Sequence, residues 1–230
     1  MSEIIVAFDG MKYDDVLPLA EALSGMGVLF KVNDLLDEYG VKIIESLKYF
    51  GGVMADPKLY DIPNTVKNRI KRYAAFKPDF ITVHASGGID MMRAAVDSCD
   101  SKILAVTVLT SLTEEECNIN LGGPVKAKVL QFARNAVLAG VHGIVCSSQE
   151  LKFLSEFREL KALIKVTPGI RPVWHLDPKD DQSRVTTPAD AVDMGSDYLV
   201  IGRPIIKALN PVEAVRKTKK EIGKASIRNR

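Results

Sequence analysis

Residues 51–65 read Gly51-Gly52-Val53-Met54-Ala55-Asp56-Pro57-Lys58-Leu59-Tyr60-Asp61-Ile62-Pro63-Asn64-Thr65: a glycine-led apolar run, then three charges of alternating sign, then the start of a helical pattern. A surface loop holds such a cluster at little cost. At the end of a buried strand the ammonium and the two carboxylates need one another, because an unpaired charge in low dielectric costs several kcal/mol, roughly. Two readings are open at this point. Asp56, Lys58 and Asp61 either seal a strand end as an ion-pair network, which is common and proves nothing alone, or form the reactive centre of an enzyme.

Outward from this stretch the same strand-then-helix unit repeats. Runs at 4–9, 28–33, 52–58, 80–85, 102–110, 143–147, 163–169 and 198–204 make eight candidate strands, nearly continuous in apolar character, as parallel strands buried on both faces are. Helical stripes lie between them: Val16, Leu19, Ala20 and Leu23; Leu35, Leu36, Ile43, Ile44 and Leu47; Val125, Val129, Phe132, Ala136 and Val137. Thr187-Pro188 and Asn210-Pro211 read as an N-cap followed by proline at the first helical position, and Gly140 and Gly195 follow helix ends. Eight alternations in 230 residues predict an α/β fold, a single-domain (β/α)8 TIM barrel over 1–230. The main rival, an open doubly wound sheet, is weakened because no strand-associated G-x-G-x-x-G or G-x-x-x-x-G-K-[ST] occurs.

Composition narrows the function classes. At 47% hydrophobic and 26% charged the chain is an ordinary globular protein, and a net charge of +2 is too small to imply a nucleic-acid partner. The basic residues Lys217, Lys219, Lys220, Lys224, Arg228 and Arg230 near the end read as a solvated terminal helix and tail. Cys99, Cys117 and Cys146 are odd in number and widely spaced, which fits inert thiols in a reducing compartment better than a disulfide framework or a zinc site. No apolar stretch approaches the roughly 18 residues of a membrane span, and Met1-Ser2-Glu3 passes into the first strand without a basic leader. A cytoplasmic protein without a membrane partner is expected.

A barrel of this kind carries its active site at the carboxyl ends of its strands, so the test is whether reactive side chains fall there. Strand one ends in Asp9, strand two carries Lys31, strand three ends in Asp56 and Lys58, and strand four in His84. Strand five ends in Thr110-Ser111, strand seven leads into Pro168-Gly169-Ile170-Arg171, and strand eight ends in Gly202-Arg203. Such a converging polar ring has no explanation in core packing and favours the functional reading. Gly202 followed by Arg203 suits a phosphate, the glycine letting the backbone approach and the guanidinium gripping two oxygens. The segment 168–187 lacks periodicity and holds Arg171, Trp174, His175, Lys179, Gln182 and Arg184, as binding loops and lids do. His84 has no adjacent serine or cysteine nucleophile, and His142, beside Gly143 at a strand start, reads as structural.

The stretch Asp56-Pro57-Lys58-Leu59-Tyr60-Asp61-Ile62-Pro63-Asn64-Thr65 resembles the D-x-K-x-x-D-I-P-x-T signature of the orotidine 5′-phosphate decarboxylase family. The likeness extends from Val6-Ala7-Phe8-Asp9 through Thr107-Val108-Leu109-Thr110-Ser111 and Thr167-Pro168-Gly169-Ile170-Arg171 to Ile201-Gly202-Arg203-Pro204, nearly the whole chain. It departs from the pattern at Val32-Asn33-Asp34, where a glycine is usual after the lysine. The resemblance implies decarboxylation of orotidine 5′-phosphate to UMP in pyrimidine synthesis, with no cofactor and no metal. It implies that Lys58 supplies charge and proton, within an array of Lys31, Asp56, Lys58 and Asp61. It further implies that Asp9 binds the ribose, Thr110 or Ser111 the pyrimidine, and Pro168, Arg171, Gln182, Gly202 and Arg203 the phosphate and its loop. Asp61, with Ile62 and Thr65 beside it, resembles a residue donated to the neighbouring site of a homodimer. Two alternatives are a metal-dependent sugar-phosphate decarboxylase or hexulose-phosphate synthase, which carries a Mg²⁺-binding carboxylate where this chain has Lys31, and a non-catalytic UMP-binding barrel.

Overall fold

Strand-forming runs that are apolar on both faces must be covered on both, and closing the sheet on itself achieves this for the inner face. The computed structural model describes residues 2–175 and 186–228. Its strands β1 (Glu3–Ala7), β2 (Val28–Val32), β3 (Gly52–Leu59), β4 (Phe80–His84), β5 (Lys102–Val106), β6 (Gly143–Val145), β7 (Ile164–Thr167) and β8 (Tyr198–Ile201) form one closed barrel in sequence order. Every neighbouring pair is parallel, including β1 with β8. All eight predicted strands are present, with β5 to β8 ending two to four residues earlier than their apolar runs.

The helices run in chain order as α1 (Tyr13–Ala22), α2 (Asp34–Tyr39), α3 (Ile43–Lys48), α4 (Pro63–Ala74), α5 (Ile89–Val96), α6 (Glu114–Leu121), α7 (Val125–Leu138), α8 (Ser148–Ser155), α9 (Pro188–Asp193), α10 (Arg203–Ile206) and α11 (Pro211–Arg228). The stripe expected over Leu35 to Leu47 is two helices, broken at Gly40, whose φ of 70° lies in the left-handed region that glycine enters without a steric penalty. In α7 the buried stripe is Val125, Val129, Phe132, Ala133 and Ala136, whereas Val137 stands 36% exposed and does not belong to it. The predicted caps form: Thr187 Oγ1 accepts the Asp190 N–H at 3.2 Å, and Asn210 Oδ1 accepts the Glu213 N–H at 3.0 Å. Lys219 is exposed, as expected, and donates to the carbonyls of Met26 and Gly27 ahead of β2.

Period-two alternation along the strands divides the core in two. Ile4, Val6, Phe30, Val53, Ile81 and Ile103 face the helices, while Ile5, Ala7, Leu29, Met54, Phe80, Leu104, Val166 and Val200 fill the barrel interior. Each large apolar side chain so buried contributes about 1.5–3 kcal/mol. Gly143 is demanded by this packing, since a Cβ there would stand 2.6 Å from the Ile164 carbonyl. Among the described residues no helix is long and apolar enough to cross a membrane. The three cysteines are free, and His142 Nδ1 accepts the Ile103 N–H at 3.1 Å, a structural role.

Candidate active site

Following the inward parity upward shows how the site arises from the core. On β2 the interior sequence is Leu29 then Lys31, on β3 it is Met54, Asp56 and Lys58, and on β4 Phe80, Thr82 and His84. Apolar residues plug the lower barrel and polar ones replace them toward the carboxyl ends. Lys31 pairs in register with Ala7 and Met54, so Asp9 and Asp56, two residues farther along, stand about 7 Å higher. A lysine stem spans that rise. Its Nζ reaches Asp9 Oδ1 and Oδ2 at 2.7 and 2.8 Å and Asp56 Oδ2 at 3.1 Å, and Lys58 Nζ closes on the same Asp56 Oδ2 at 2.7 Å.

Burial sets the protonation states. The Lys31 and Asp56 side chains are 7% and 6% exposed. Burial alone would lift the Asp56 pKa, but the ammoniums of Lys31 and Lys58 and hydrogen bonds from Lys58 and Thr82 outweigh it and hold the carboxyl below its ordinary value. Burial likewise disfavours charge on Lys31, and the two carboxylates overcome it and raise its pKa. The result is an alternating chain, Asp9, Lys31, Asp56, Lys58, that presents Lys58 at its end, 33% exposed. His84 beside it is pushed down by burial and by the Lys58 ammonium and stays neutral.

The local chain path that brings Asp56 and Lys58 to one face is a bulge. Ala55 pairs with Ile81 and Leu59 with Val83, so Asp56, Pro57 and Lys58 together stand opposite Thr82 alone. Pro57 has no N–H for the ladder, and Lys58 takes φ = 44°, a left-handed conformation that costs a non-glycine residue about 1–2 kcal/mol. The bulge is held on both sides. Thr82 Oγ1 accepts the Lys58 N–H at 3.0 Å and donates to Asp56 Oδ1 at 2.8 Å, and Asn33 Nδ2 donates to the Asp56 carbonyl at 2.6 Å. Sequence reasoning missed both residues. For Thr82 the available signal was a hydroxyl at an interior position of an otherwise apolar strand, where it must find a partner. For Asn33 it was the departure from glycine after Lys31.

A cavity of about 440 Å³ opens over this array, within the range of small-ligand sites. Asp9, Lys31, Asp56, Lys58, Thr110, Pro168, Arg171, Gly202 and Arg203 line it, so nine of the sequence-predicted residues converge. Thr110 arrives on the loop beyond β5, not on the strand itself, and Ser111 is exposed and does not line the cavity. Met54, Cys146 and Ile206 also line it and were not anticipated. Arg171 is buried, and its backbone pairs with Thr186 (Arg171 N–H to Thr186 carbonyl, 2.9 Å), which ties together the two ends of the long loop. Gly169 at φ = 76° makes the turn before it. Gln182 lies outside the described residues. A Cβ on Gly202 would meet only Ala7 atoms at 3.5–3.6 Å, so the chain's own packing does not require glycine there and room is left for a ligand.

Asp61, Ile62 and Thr65 do not line this cavity. Asp61 is exposed, its Oδ1 accepting the Ile62 N–H at 2.7 Å, and it has no ion pair among the described residues. A larger hollow of about 1160 Å³ lies at the other end, where the strands begin. There Asp79 is committed to the Val53 N–H and Lys48, and Lys102 lies over the Phe80 ring, an arrangement that braces the barrel floor. The reactive groups belong to the smaller cavity.

Residues 2–218 match the model of the orotidine 5′-phosphate decarboxylase / HUMPS family. The chain belongs to this family. It is 40% identical over 225 residues to the orotidine 5′-phosphate decarboxylase of Streptococcus gordonii, covering 94% of this chain and 96% of that one. Identity to the orotidine 5′-phosphate decarboxylase of Geotalea daltonii is 40% over 234 residues, 96% of each chain. Among solved structures, the orotidine 5′-phosphate decarboxylase of Lactobacillus acidophilus superposes with a TM-score of 0.82 at 32% identity, covering 96% of this chain and 99% of that one. Membership in the orotidine 5′-phosphate decarboxylase / HUMPS family agrees with the resemblance carried by Asp56 to Thr65 and with the closed barrel.

Proposed function

We propose that this chain decarboxylates orotidine 5′-phosphate to UMP without a cofactor, with Lys58 as the cation and proton donor. The observation that carries the reading is the Asp9, Lys31, Asp56, Lys58 chain, which delivers a fixed ammonium to the floor of a ligand-sized cavity. Loss of CO₂ from carbon six of the pyrimidine leaves an electron pair in the ring plane that the ring cannot delocalise. A preorganised cation at that carbon stabilises the developing charge in a water-poor site. The Lys58 N–H bond then breaks as the C6–H bond forms, and the neutral amine regains its proton from solvent. Asp56, held ionised and fixed by Lys31, positions the Lys58 ammonium until that step.

The required barrier reduction is on the order of 20 kcal/mol. Phosphate contacts remote from the reacting carbon contribute to it when they drive closure of the site, so that their binding energy is expressed in the transition state. Arg203 and Gly202, with Arg171 at the base of the loop, would make them, and all three line the cavity. Thr110 faces the cavity from the β5 loop and is suited to the pyrimidine edge, and Asp9, half exposed at the outer end of the array, to the ribose hydroxyls.

The metal-dependent alternative fits the donor set poorly. Lys31 Nζ occupies both Asp9 oxygens and shares Asp56 Oδ2 with Lys58, so a divalent cation would have to displace an ammonium from each carboxylate. The second subunit of a homodimer would receive Asp61, with Ile62 and Thr65. Supporting this, Asp61 is exposed and does not line its own cavity, and Tyr60 and Ile62 beside it expose 62% and 68% of their surface, as apolar side chains covered by a second copy do. We place the reaction in the cytoplasm, in keeping with three free thiols. Loss of orotidine 5′-phosphate absorbance, with UMP as product and no effect of EDTA, is the expected result. No conversion, or conversion abolished by EDTA, overturns the reading.

A further inference from the structure

The hydroxyl of Thr82 occupies an unusual position. It lies on the barrel interior at the centre of β4, fully buried, with Phe80 below it and His84 above. Its single oxygen makes two hydrogen bonds of different kinds to two members of the reactive array: it accepts from the backbone N–H of Lys58 at 3.0 Å and donates to the carboxylate of Asp56 at 2.8 Å. The Lys58 N–H would otherwise have no strand partner, because the bulge displaces it from the β4 ladder. The left-handed φ of Lys58 therefore depends on a side chain of the next strand. The same hydroxyl fixes the Asp56 oxygen that Lys31 and Lys58 do not take, since both ammoniums sit on Oδ2.

We propose that Thr82 is a positioning residue of the decarboxylation, its hydroxyl setting the backbone of Lys58 and the carboxylate plane of Asp56 so that the Lys58 ammonium meets the reacting carbon. This inference rests on the decarboxylase reading of the site. Thr82 does not line the cavity and touches no substrate position; it acts through Asp56 and Lys58. Valine keeps the shape of threonine and lacks the hydroxyl, whereas serine keeps the hydroxyl. The two substitutions separate a geometric role from packing.

The experiment compares Thr82→Val and Thr82→Ser with the unaltered protein in orotidine 5′-phosphate turnover, as kcat and KM across pH, with the thermal midpoint of each protein. A lost hydrogen bond to an ionised group predicts a fall in kcat of about 10- to 100-fold for valine, with KM within about threefold. Serine should stay within about threefold in both. The acid limb of kcat/KM should move to higher pH in the valine variant alone, because Asp56 loses a donor to its charged form. A hydroxyl that only satisfies buried groups would lower the thermal midpoint and leave the limb in place. Should valine yield no folded protein, Thr82→Ala removes the same hydroxyl without placing a methyl against Asp56 and carries the same expectations. Full kcat in the hydroxyl-free variant, or equal losses in the serine and hydroxyl-free variants, overturns the inference while leaving the decarboxylase reading intact. An unaltered protein that does not turn over orotidine 5′-phosphate overturns both.

Discussion

Lys31 is buried between two carboxylates, and replacing it with methionine measures what the array is worth. Methionine fills nearly the same unbranched volume, so the perturbation is the loss of the ammonium. At 3.1 Å and an effective dielectric of about 20, the attraction between Lys31 and Asp56 is about 5 kcal/mol. The Asp9 partner is 51% exposed, so solvent screening limits that pair to at most about 1 kcal/mol. Relief of the burial of Lys31 itself offsets part of this, leaving a net destabilisation of about 3–5 kcal/mol at neutral pH, the usual consequence of stripping one partner from a buried pair. The pH dependence supplies the sign. The folded Asp56 pKa is depressed, so its contribution is complete above the ordinary aspartate value of about 4 and is lost as pH falls through the lower folded value. The folded Lys31 pKa is raised, so its contribution is complete below the ordinary lysine value of about 10.4 and is lost as pH rises through the folded one. Without Lys31, burial prevails over Lys58 alone and the Asp56 pKa climbs. Urea unfolding should therefore show a deficit that widens from about pH 4 toward pH 7, together with loss of turnover. A deficit below about 1 kcal/mol at pH 7, or one that does not change with pH, would refute the electrostatic account of the array.

Arg203→Ala should chiefly raise KM for orotidine 5′-phosphate, with kcat falling to the extent that phosphate binding drives closure; an unchanged KM removes Arg203 from the phosphate site. Mixing inactive Lys58→Ala and Asp61→Ala proteins should restore activity, one intact site forming per heterodimer, and no recovery after verified subunit exchange would count against a shared site.

The barrel was legible because the strands are nearly continuous apolar runs and helical spacing lies between most of them, so no register had to be known in advance. The site was legible because a strand end is also a sequence end: Asp9, Lys58 and Arg203 are found by reading to the end of a run. What the sequence concealed was lateral. Thr82 and Asn33 meet Asp56 only through the offsets between β2, β3 and β4, and the two extra residues in the bulge have no marker except Pro57. The expected array of Lys31, Asp56, Lys58 and Asp61 is, within one chain, Asp9, Lys31, Asp56 and Lys58, because the turn before α4 carries Asp61 away. Thr110 was assigned to a strand because Val106-Thr107-Val108 continues the apolar run, yet β5 stops at Val106 and a loop delivers the hydroxyl.

The central claim is that the Lys58 ammonium at the end of the array performs the chemistry and is not merely a phosphate or base contact. Lys58→Ala, assayed for orotidine 5′-phosphate decarboxylation alongside calorimetric binding of UMP, tests it most directly. The account predicts turnover reduced to background while UMP still binds within about tenfold of the unaltered protein, since the groups suited to the phosphate lie on the β7 and β8 ends and remain in place. Turnover retained within about tenfold in Lys58→Ala would contradict it.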